Sequence, residues 1–211
     1  MNRLLKVALL SCAGALAAMG AKAETIKIGV LTSYSGIAAT SGPQIDGAIK
    51  LFEKKYGTTI AGNKIEFIKR DSTGPNPAVA KPRMQELIFR DKVQLLNGID
   101  FTPNVLAYAP LLTQGKTPGI ITGAATSGTV AQKSPYYART FMTLGQVSRP
   151  MAQWAAKNGI KKIYTVVADY APGYEAEKAF IDEFKKDGGT IVGSVRVPTR
   201  SPEFSAYMQR V

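Results

Sequence analysis

The residues of this sequence that could do chemistry stand directly after short apolar runs. Hydroxyl groups follow the run that ends at Leu31, Asp100 and Thr102 follow the run that ends at Ile99, and residues 120–122 open into Gly-Ala-Ala-Thr-Ser-Gly. Hydroxyl groups donate hydrogen bonds, and small residues let another molecule approach the backbone closely. No nucleophile stands beside a matching base in these stretches. The pattern therefore indicates binding rather than catalysis.

Histidine is absent from the sequence, and Cys12 is the only cysteine. A His-based catalytic triad is therefore excluded, and so is a zinc site once the first residues are removed. A serine nucleophile at Ser33 or Ser127 would lack a histidine base. A nucleotide-binding G-x-G-x-x-G motif does not follow the first predicted strand. We expect no enzyme activity, no metal and no cofactor.

The first 23 residues have the composition of a secretory signal peptide. A short basic start precedes a small, apolar run at residues 7–19, and residues 21–23 form an A-x-A cleavage signal. A transmembrane anchor is the first alternative, but the run is shorter than the roughly 20 residues that span a bilayer. Lipoprotein processing at Cys12 is the second, although the apolar run before it is short. We expect cleavage after Ala23 and a periplasmic location.

The chain after Ala23 contains no cysteine and carries scattered positive charge. An exported protein without disulfides must be stabilised by burial, which fits a large α/β core and a bacterial periplasm. Arg3, Lys6 and Lys22 contribute three charges to the formal net charge of +12, so +9 remains after their removal. No run of basic residues exceeds two. We interpret the charge as solvated surface and expect no nucleic acid partner.

Apolar periodicity predicts alternating strands and helices from Thr25 onward. It predicts strands near residues 26–30, 65–71, 93–96 and 118–122, and helices near residues 45–52, 76–90 and 105–112. A second series has an extended segment at 137–142, helices at 147–155 and 174–186, strands at 163–168 and 191–197, and a helix opening at 201. This alternation predicts an α/β fold with parallel sheets and helices on both faces.

The two series divide the chain into an N-terminal α/β lobe at residues 24–141 and the start of a second α/β lobe at residues 142–211. The second series has only begun when the sequence stops within a predicted helix. We therefore expect the chain to be part of a longer product, with its second lobe incomplete.

The predicted strand ends are the natural place for a ligand. Open parallel sheets bind ligands outside the carboxyl ends of their strands, and helix N-termini there favour an anion such as a carboxylate. Each residue also has a structural interpretation. In that interpretation Ser41 and Thr102 cap helices, Asp71 stabilises a turn, Asp100 is a solvated loop acid, Trp154 is core, and Tyr170 and Tyr174 cover the surface.

Several segments, taken in order, resemble one protein family. They are ETIKIGVLTSYSG, NKIEFIKRDSTGPNPAVA, ITGAATSG, YYARTFMT and VVADYAPGYEAEKAFIDEFKKDGGTIVGSVRVP. They are similar to the periplasmic solute-binding proteins of ABC importers, in the branch that binds leucine, isoleucine and valine. The resemblance covers essentially all of residues 24–211. It implies the two-lobed type I fold, with a ligand held between the lobes and passed to a permease in the inner membrane.

The resemblance also implies which residues touch the ligand. It assigns the ligand carboxylate to Ala124 and Thr126, in the stretch after the fourth strand. It places Thr102 at a hydroxyl position of the family, with Asp100 and Phe101 beside it.

Two positions depart from the family pattern. Ser41 stands where the family has an aromatic residue in the first lobe, and the binding tyrosine of the second lobe falls near Pro172 or Tyr170. The Asp-Tyr-x-Pro-Gly form resembles relatives that bind aromatic carboxylates, so an amino acid and an aromatic acid both remain open as the ligand. The alternative function is the ligand-sensing ectodomain of a receptor with the same fold. We expect a monomer.

Overall fold

The computed structural model describes residues 23–123, 128–199 and 203–210. Its larger sheet contains the strands β1 (Thr25–Thr32), β2 (Thr59–Ile60), β3 (Asn63–Asp71), β4 (Leu95–Ile99), β5 (Gly119–Ile121) and β6 (Tyr137–Arg139). Their order across the sheet is β2-β3-β1-β4-β5-β6. Every neighbouring pair is parallel except β2 with β3.

A second sheet pairs β7 (Lys162–Ala168) with β8 (Thr190–Val197) in parallel. The helices are α1 (Ser41–Tyr56), α2 (Pro77–Gln85), α3 (Thr102–Gly115), α4 (Leu144–Lys157), α5 (Ala171–Lys186) and α6 (Ser205–Met208). The predicted α/β alternation with mainly parallel sheets is confirmed. No helix in the described ranges is both long and apolar enough to cross a membrane.

The sequence pattern did not predict strand β2. Ala61 and Gly62 connect it to β3, and both have a positive φ, 49° and 82°. Two such residues form the tight hairpin turn that matches the twist of antiparallel strands. A strand of two residues is too short to show alternation, so its pairing depends on the turn.

Strand β4 lies further along the chain than the predicted residues 93–96. The backbone N–H of Val93 donates to the carbonyl of Leu87 at 3.1 Å, which ties Val93 to the preceding helical turn. Pairing with β1 begins at Leu95 opposite Ile28. The strand therefore ends at Ile99, and Asp100 follows it immediately.

Proline does not delay the start of α2. The helix starts at Pro77 with Asn76 at the cap position, and Pro82 lies inside it. From Glu86 to Arg90 the chain continues as a π-helix. A proline lacks one hydrogen-bond donor, and the helix accommodates that loss here.

The main core lies between the larger sheet and helices α2 and α3. Its members share burial against one sheet face and include Leu31, Met84, Leu87, Leu96, Ile99, Val105, Tyr108, Leu112 and Ile121. A smaller cluster joins Ala152, Ala155 and Phe184 beside the second sheet. The parallel strands are thus held with their carboxyl ends at one edge.

The prediction that Trp154 belongs to the core is wrong. Its side chain is 57% exposed, as are Met151 at 57% and Val147 at 42%. Helix α4 buries Ala152 and Ala155 instead. Helical periodicity identified the apolar residues, but it could not tell which side of the helix the neighbouring helix covers.

Candidate functional site

A cavity of about 260 Å³ opens at the carboxyl ends of the strands in the larger sheet. Strands β1, β4, β5 and β6 are parallel, so all four end at this edge. The lining residues come from these ends and from the first turn of α1: Thr32, Ser41, Gln44, Ile45, Gly98, Asp100, Phe101, Thr122, Gly123 and Phe141. The predicted edge of the sheet therefore does contain a cavity.

The start of α1 is fixed over the end of β1. A Cβ on Gly42 would lie 2.4 Å from the ring of Tyr34, so only glycine lets this ring pack against the helix. The backbone N–H of Gly42 donates to the carbonyl of Ser33 at 2.9 Å. These contacts bring Ser41 and Gln44, both polar, to the cavity wall.

Ser41 and Thr102 are not helix caps, which corrects their structural interpretation. Each is the first helical residue, because Thr40 and Phe101 occupy the cap positions, and neither cap residue makes a side-chain hydrogen bond. Thr102 is 5% exposed. Its Oγ1 is buried without a hydrogen-bond partner in the part of the chain that the structure describes.

Asp100 is a buried acid in the wall of the cavity. Its side chain is 5% exposed, so the interpretation of Asp100 as a solvated loop acid is wrong. Its Oδ2 accepts hydrogen bonds from Thr32 Oγ1 at 3.3 Å and from Ser33 Oγ at 3.2 Å. Its Oδ1 accepts one from Ser72 Oγ at 3.5 Å. Hydroxyl groups from the ends of β1 and β3 thus converge on this carboxyl group.

The electrostatic environment of Asp100 opposes its ionisation. Burial raises the pKa of the carboxyl group to about 6, and the hydrogen bonds from Ser33 and Thr32 reduce that rise. Among the ion pairs of the described ranges, none includes Asp100. The cavity wall therefore holds an acid without a counterion.

Two unusual backbone conformations shape this wall. Gly98 has a φ of +77°, and a Cβ there would lie 3.2 Å from the side chain of Val30. Phe101 has a φ of 54° and a ψ of 127°, which non-glycine residues rarely adopt. Such strain is on the order of 1–3 kcal/mol and clusters at functional sites. Here it turns the chain from β4 into α3 with the ring of Phe101 at the cavity.

A larger apolar cavity of about 400 Å³ adjoins the first one. The two share Ile45 and Thr122 in their walls. The other residues of the larger cavity come from α1 and the facing strands: Ile28, Ala48, Ile49, Phe52, Phe67 and Asn97. A ligand in the polar cavity would thus have apolar space next to it.

Asp71, at the end of β3, stabilises a turn as predicted. Its Oδ1 accepts the backbone N–H groups of Tyr34 and Thr73, both at 2.8 Å, and its Oδ2 accepts Ser35 Oγ at 2.6 Å. Partial burial opposes ionisation, yet these hydrogen bonds hold the pKa of Asp71 below its usual value. In the described ranges, no group of three or more Asp, Glu, His or Cys side chains is placed so that it could hold a metal ion.

Comparison with known proteins decides the family. Residues 25–211 match the family model described as periplasmic binding protein. The chain belongs to this family. It is 39% identical over 196 residues to the Leu/Ile/Val-binding protein homolog 6 of Brucella abortus, and this alignment covers 93% of the chain and 50% of the relative.

Solved structures of similar proteins have the same fold. A solute-binding protein of an ABC transporter from Rhodopseudomonas palustris BisB5, in complex with 3,4-dihydroxybenzoic acid, is 46% identical with a TM-score of 0.84, over 88% of this chain and 51% of that one. Another from R. palustris, in complex with 4-hydroxybenzoate, is 42% identical with a TM-score of 0.84, over 88% and 50%. The leucine-binding protein of Thermotoga maritima, 23% identical with a TM-score of 0.77 over 88% and 52%, supports the fold alone.

These findings confirm the resemblance and the fold. The periplasmic binding protein family has the type I α/β fold with mainly parallel sheets that the sequence indicated. The chain spans about half the length of the relatives that it matches. Those relatives are solute-binding proteins of ABC transporters rather than enzymes, in agreement with the expectation of no enzyme activity.

The structure of this periplasmic binding protein brings together three of the residues singled out from the sequence. Ser41, Asp100 and Phe101 line the cavity. Thr102 follows Phe101 but is not among the lining residues. Ala124 and Thr126 lie outside the residues that the structure describes.

Tyr170 lies next to the second sheet. It stands at the cap position of α5, two residues after the end of β7, and is not among the residues that line the cavity. The helix begins close to the strand, since a Cβ on Gly173 would lie 1.9 Å from the carbonyl oxygen of Ala168. Nearby, Tyr174 donates its hydroxyl to Asp169, and the guanidinium of Arg196 lies 4.2 Å from the centre of the Tyr174 ring.

Among the lining residues that sequence reasoning missed are Gln44 and Phe141. Gln44 lies three residues after Ser41, so it shares the first turn of α1. Phe141 lies two residues after β6, and the parallel pairing of β6 with β5 carries it to the same edge as Asp100. The rule that ligands bind at parallel strand ends would have found Phe141 if the segment 137–142 had been taken as a strand of this sheet.

Proposed function

We propose that this chain belongs to an extracytoplasmic solute-binding protein of an ABC transporter that captures a small carboxylate and delivers it to the permease in the inner membrane. The ligand would lie between two lobes, residues 24–141 and 142–211. The cavity at the strand ends carries this proposal, because its described lining residues offer hydroxyl, amide and aromatic groups but include no histidine, lysine or cysteine. Such a site can bind and release a molecule unchanged.

The walls of the cavity favour an aromatic acid over a branched-chain amino acid. Phe101 and Phe141 supply two phenyl rings, and Ile45 supplies an aliphatic surface. Aromatic pairs attract in offset or edge-to-face arrangements beyond the effect of area burial alone. The relatives at 46% and 42% identity were crystallised with dihydroxy- and hydroxybenzoate, which are flat ligands of this type.

The ligand carboxylate would be held by Ala124 and Thr126, with Ser41 and Thr102 as further hydroxyl donors and Tyr170 contributed by the second lobe. Ser41 lines the cavity and Thr102 has a buried hydroxyl without a partner in the described ranges, so both have hydrogen-bonding capacity to offer. A charge-assisted hydrogen bond to a carboxylate contributes about 1.5–3 kcal/mol. Closure of the lobes around the ligand would be the functional motion.

The protein would act as a monomer in the periplasm, after cleavage of residues 1–23. The family name and the ABC transporter context of the relatives support an extracytoplasmic location. Mass spectrometry of the exported protein would test this cleavage, which predicts an N-terminus at Glu24. A lipid-modified Cys12 would contradict it.

Thermal denaturation of the complete secreted protein with a ligand panel tests the proposed function. We expect 4-hydroxybenzoate and 3,4-dihydroxybenzoate, at about 100 times their Kd, to raise the Tm by roughly 5–10 °C. Leucine, isoleucine, valine and benzamide should leave it unchanged. Stabilisation by the amino acids alone would contradict the aromatic ligand, and no stabilisation by any compound would contradict the function.

A matched pair of variants tests the carboxylate contact. Thr126→Ala should weaken binding of 4-hydroxybenzoate by about tenfold or more, because a charge-assisted hydrogen bond is lost. Thr59→Ala, in the exposed strand β2, is the control and should bind as the wild type does. Equal affinities of the two variants in titration calorimetry would remove Thr126 from the site.

A further inference from the structure

The polar side chains in the cavity wall differ in whether their hydrogen-bonding groups are already used. The described polar lining residues are Thr32, Ser41, Gln44, Asp100 and Thr122. Thr32 Oγ1 donates to the carboxyl group of Asp100 at 3.3 Å, so these two groups have partners within the protein. The hydroxyl oxygen of Thr122 is buried. Within the described ranges, Ser41 and Gln44 are the members left with a polar group that is neither bonded nor buried.

The first turn of α1 fixes the position of Gln44. Its backbone N–H donates to the carbonyl of Thr40 at 3.3 Å. Its side chain is exposed and makes no hydrogen bond to any residue that the structure describes. Ser41 lies three residues earlier, and helical residues at this spacing are neighbours with Cβ atoms about 5–6 Å apart. The amide of Gln44 and the hydroxyl of Ser41 therefore lie on the same wall of the cavity.

A carboxylate in this cavity would have to be held by neutral donors. The described lining residues include no lysine and no arginine. The Gln44 amide offers two N–H donors and the Ser41 hydroxyl offers one, whereas an ionised carboxylate is an acceptor at both of its oxygens. Two neutral donors from one helical turn thus suit a single carboxylate group.

We propose that Gln44 is a specificity-determining residue whose side-chain N–H donates a hydrogen bond to the carboxylate of the bound ligand, beside Ser41. This inference rests on the proposed function, because it requires a carboxylate ligand in the cavity. A hydrogen bond to an ionised acceptor is roughly twice as strong as one between neutral groups. The contact would therefore favour an acid over the corresponding amide.

A phenolic hydroxyl group is the other ligand group that Gln44 could bind, because the amide oxygen accepts hydrogen bonds. The two roles predict opposite results for Gln44→Glu. This replacement keeps the length of the side chain and an acceptor oxygen, but it removes both donors and adds a negative charge. It would repel a carboxylate, whereas it would accept a hydrogen bond from a phenol more strongly.

Titration calorimetry of the complete secreted protein with 4-hydroxybenzoate at pH 7.5 separates the two roles. Gln44→Met, which has a similar length but no donor, should weaken binding about 10- to 100-fold, the range of one charge-assisted hydrogen bond. Gln44→Glu should weaken binding further than Gln44→Met does. Wild-type affinity in Gln44→Met would overturn the inference. Tighter binding by Gln44→Glu than by Gln44→Met would make the phenol the partner and overturn it as well.

Gln114→Glu is the matched control for the added charge. Gln114 is an exposed residue of α3 and does not line the cavity. This variant should bind 4-hydroxybenzoate as the wild type does. Equal weakening by Gln114→Glu and Gln44→Glu would mean that net charge acts without a contact, which would overturn the inference. If the wild type binds no carboxylate, the proposed function fails, whereas binding that is unchanged in both Gln44 variants removes this inference alone.

The wild type offers a second measurement that needs no variant. NMR of the protein with isotope-labelled glutamine follows the side-chain amide protons of Gln44 directly. On saturation with 4-hydroxybenzoate, one of the two protons should move downfield, because it enters a hydrogen bond to an ionised acceptor. An amide signal that does not change on saturation would overturn the inference.

Discussion

Two buried acids, one beside each sheet, behave in opposite ways in this molecule. Asp100, directly after β4, is 5% exposed and accepts hydrogen bonds from three hydroxyl groups and from the backbone of Ser33. Glu177, on α5 above the second sheet, is 7% exposed and accepts Thr165 and Ser194 hydroxyls. Glu177 also has Arg196, whose Nη2 lies 3.2 Å from Oε2. Glu177 thus has a cation among its partners, whereas none of the ion pairs in the described ranges includes Asp100.

The pKa values of the two acids are shifted in opposite directions. Burial raises the pKa of Asp100 to about 6, and the hydroxyl groups only reduce the rise. At Glu177 burial acts in the same direction, but hydrogen bonds from Ser194, Thr165 and Arg196 outweigh it and lower the pKa. Glu177 is therefore a satisfied structural acid. The carboxyl group of Asp100 carries an energetic penalty when it is ionised, which is typical of a functional residue.

The largest expected effect is a difference in pH dependence. The folded-state pKa of Asp100, about 6, lies above the ordinary 3.8. The folded state is therefore favoured below pH 3.8, and this contribution is lost as the pH rises through 6. The shift corresponds to about 3 kcal/mol. Asp100→Asn should thus gain about 3 kcal/mol of stability relative to the wild type between pH 3.8 and pH 7.5.

Urea unfolding of both proteins at a series of pH values measures this gain. Subtracting one curve of unfolding free energy against pH from the other removes the contributions of the other acids, provided that the substitution leaves their pKa values unchanged. Asp71→Asn is the control of opposite sign: because the pKa of Asp71 is lowered, its contribution is present above the unfolded pKa and lost as the pH falls. A flat difference for Asp100→Asn would mean that its carboxyl group is not strained.

The second effect is the reverse response of Glu177. Glu177→Gln should destabilise the protein by about 2 kcal/mol at pH 7, because a charge-assisted bond to Arg196 is lost. The loss should diminish as the pH falls below the unfolded pKa of a glutamate, about 4.3, and towards the lowered folded-state pKa, because the folded wild-type acid is protonated only there. Chemical unfolding at a series of pH values from pH 7 downwards measures it.

Arg196→Gln is the matched control for Glu177→Gln. It leaves Glu177 with the hydroxyl groups of Thr165 and Ser194 as partners. Glu177 then lacks the Arg196 ion pair. The pKa of Glu177 should then rise, which NMR titration of the side chain can follow. An unchanged pKa would mean that Thr165 and Ser194, not the cation, make the difference between the two sites.

The fold followed from the sequence because local periodicity and the parallel α/β rule agree. The edge where ligands bind was also predictable, since it depends only on strand order and direction. The burial of Asp100, in contrast, could not be predicted from the sequence. Its partners Thr32, Ser33 and Ser72 lie 28–68 residues away, and they meet because the β1–β3 register places Thr32 opposite Asp71.

The individual errors have a common cause. A local sequence pattern does not show which other part of the fold packs against it. The apolar face of α4 was recognised, but the position of α5 decides that Ala155 is buried and Trp154 exposed. Likewise, serine and threonine before a helix resemble caps until the backbone places the cap one residue earlier. Tertiary contacts, not propensity, assign these roles.

The smallest expected effect compares one hydroxyl group at each site. Thr32 Oγ1 donates to Asp100 at 3.3 Å, and Thr165 Oγ1 donates to Glu177 at 2.9 Å. Both threonines lie in strands and are buried, so valine is a fitting replacement in each. Thr32→Val should cost about 1 kcal/mol more at pH 7.5 than at pH 4.5, because it raises the pKa of Asp100 further.

Thr165→Val should show no such pH dependence. Glu177 keeps Arg196 and Ser194 and stays ionised at both pH values, so the loss of one donor is the same, about 1 kcal/mol. The free energies of unfolding of the two variants at pH 4.5 and 7.5 therefore test whether the hydroxyl groups or the cation keep a buried acid ionised. If both variants lost equal stability at both pH values, the hydroxyl group of Thr32 would not influence the pKa of Asp100.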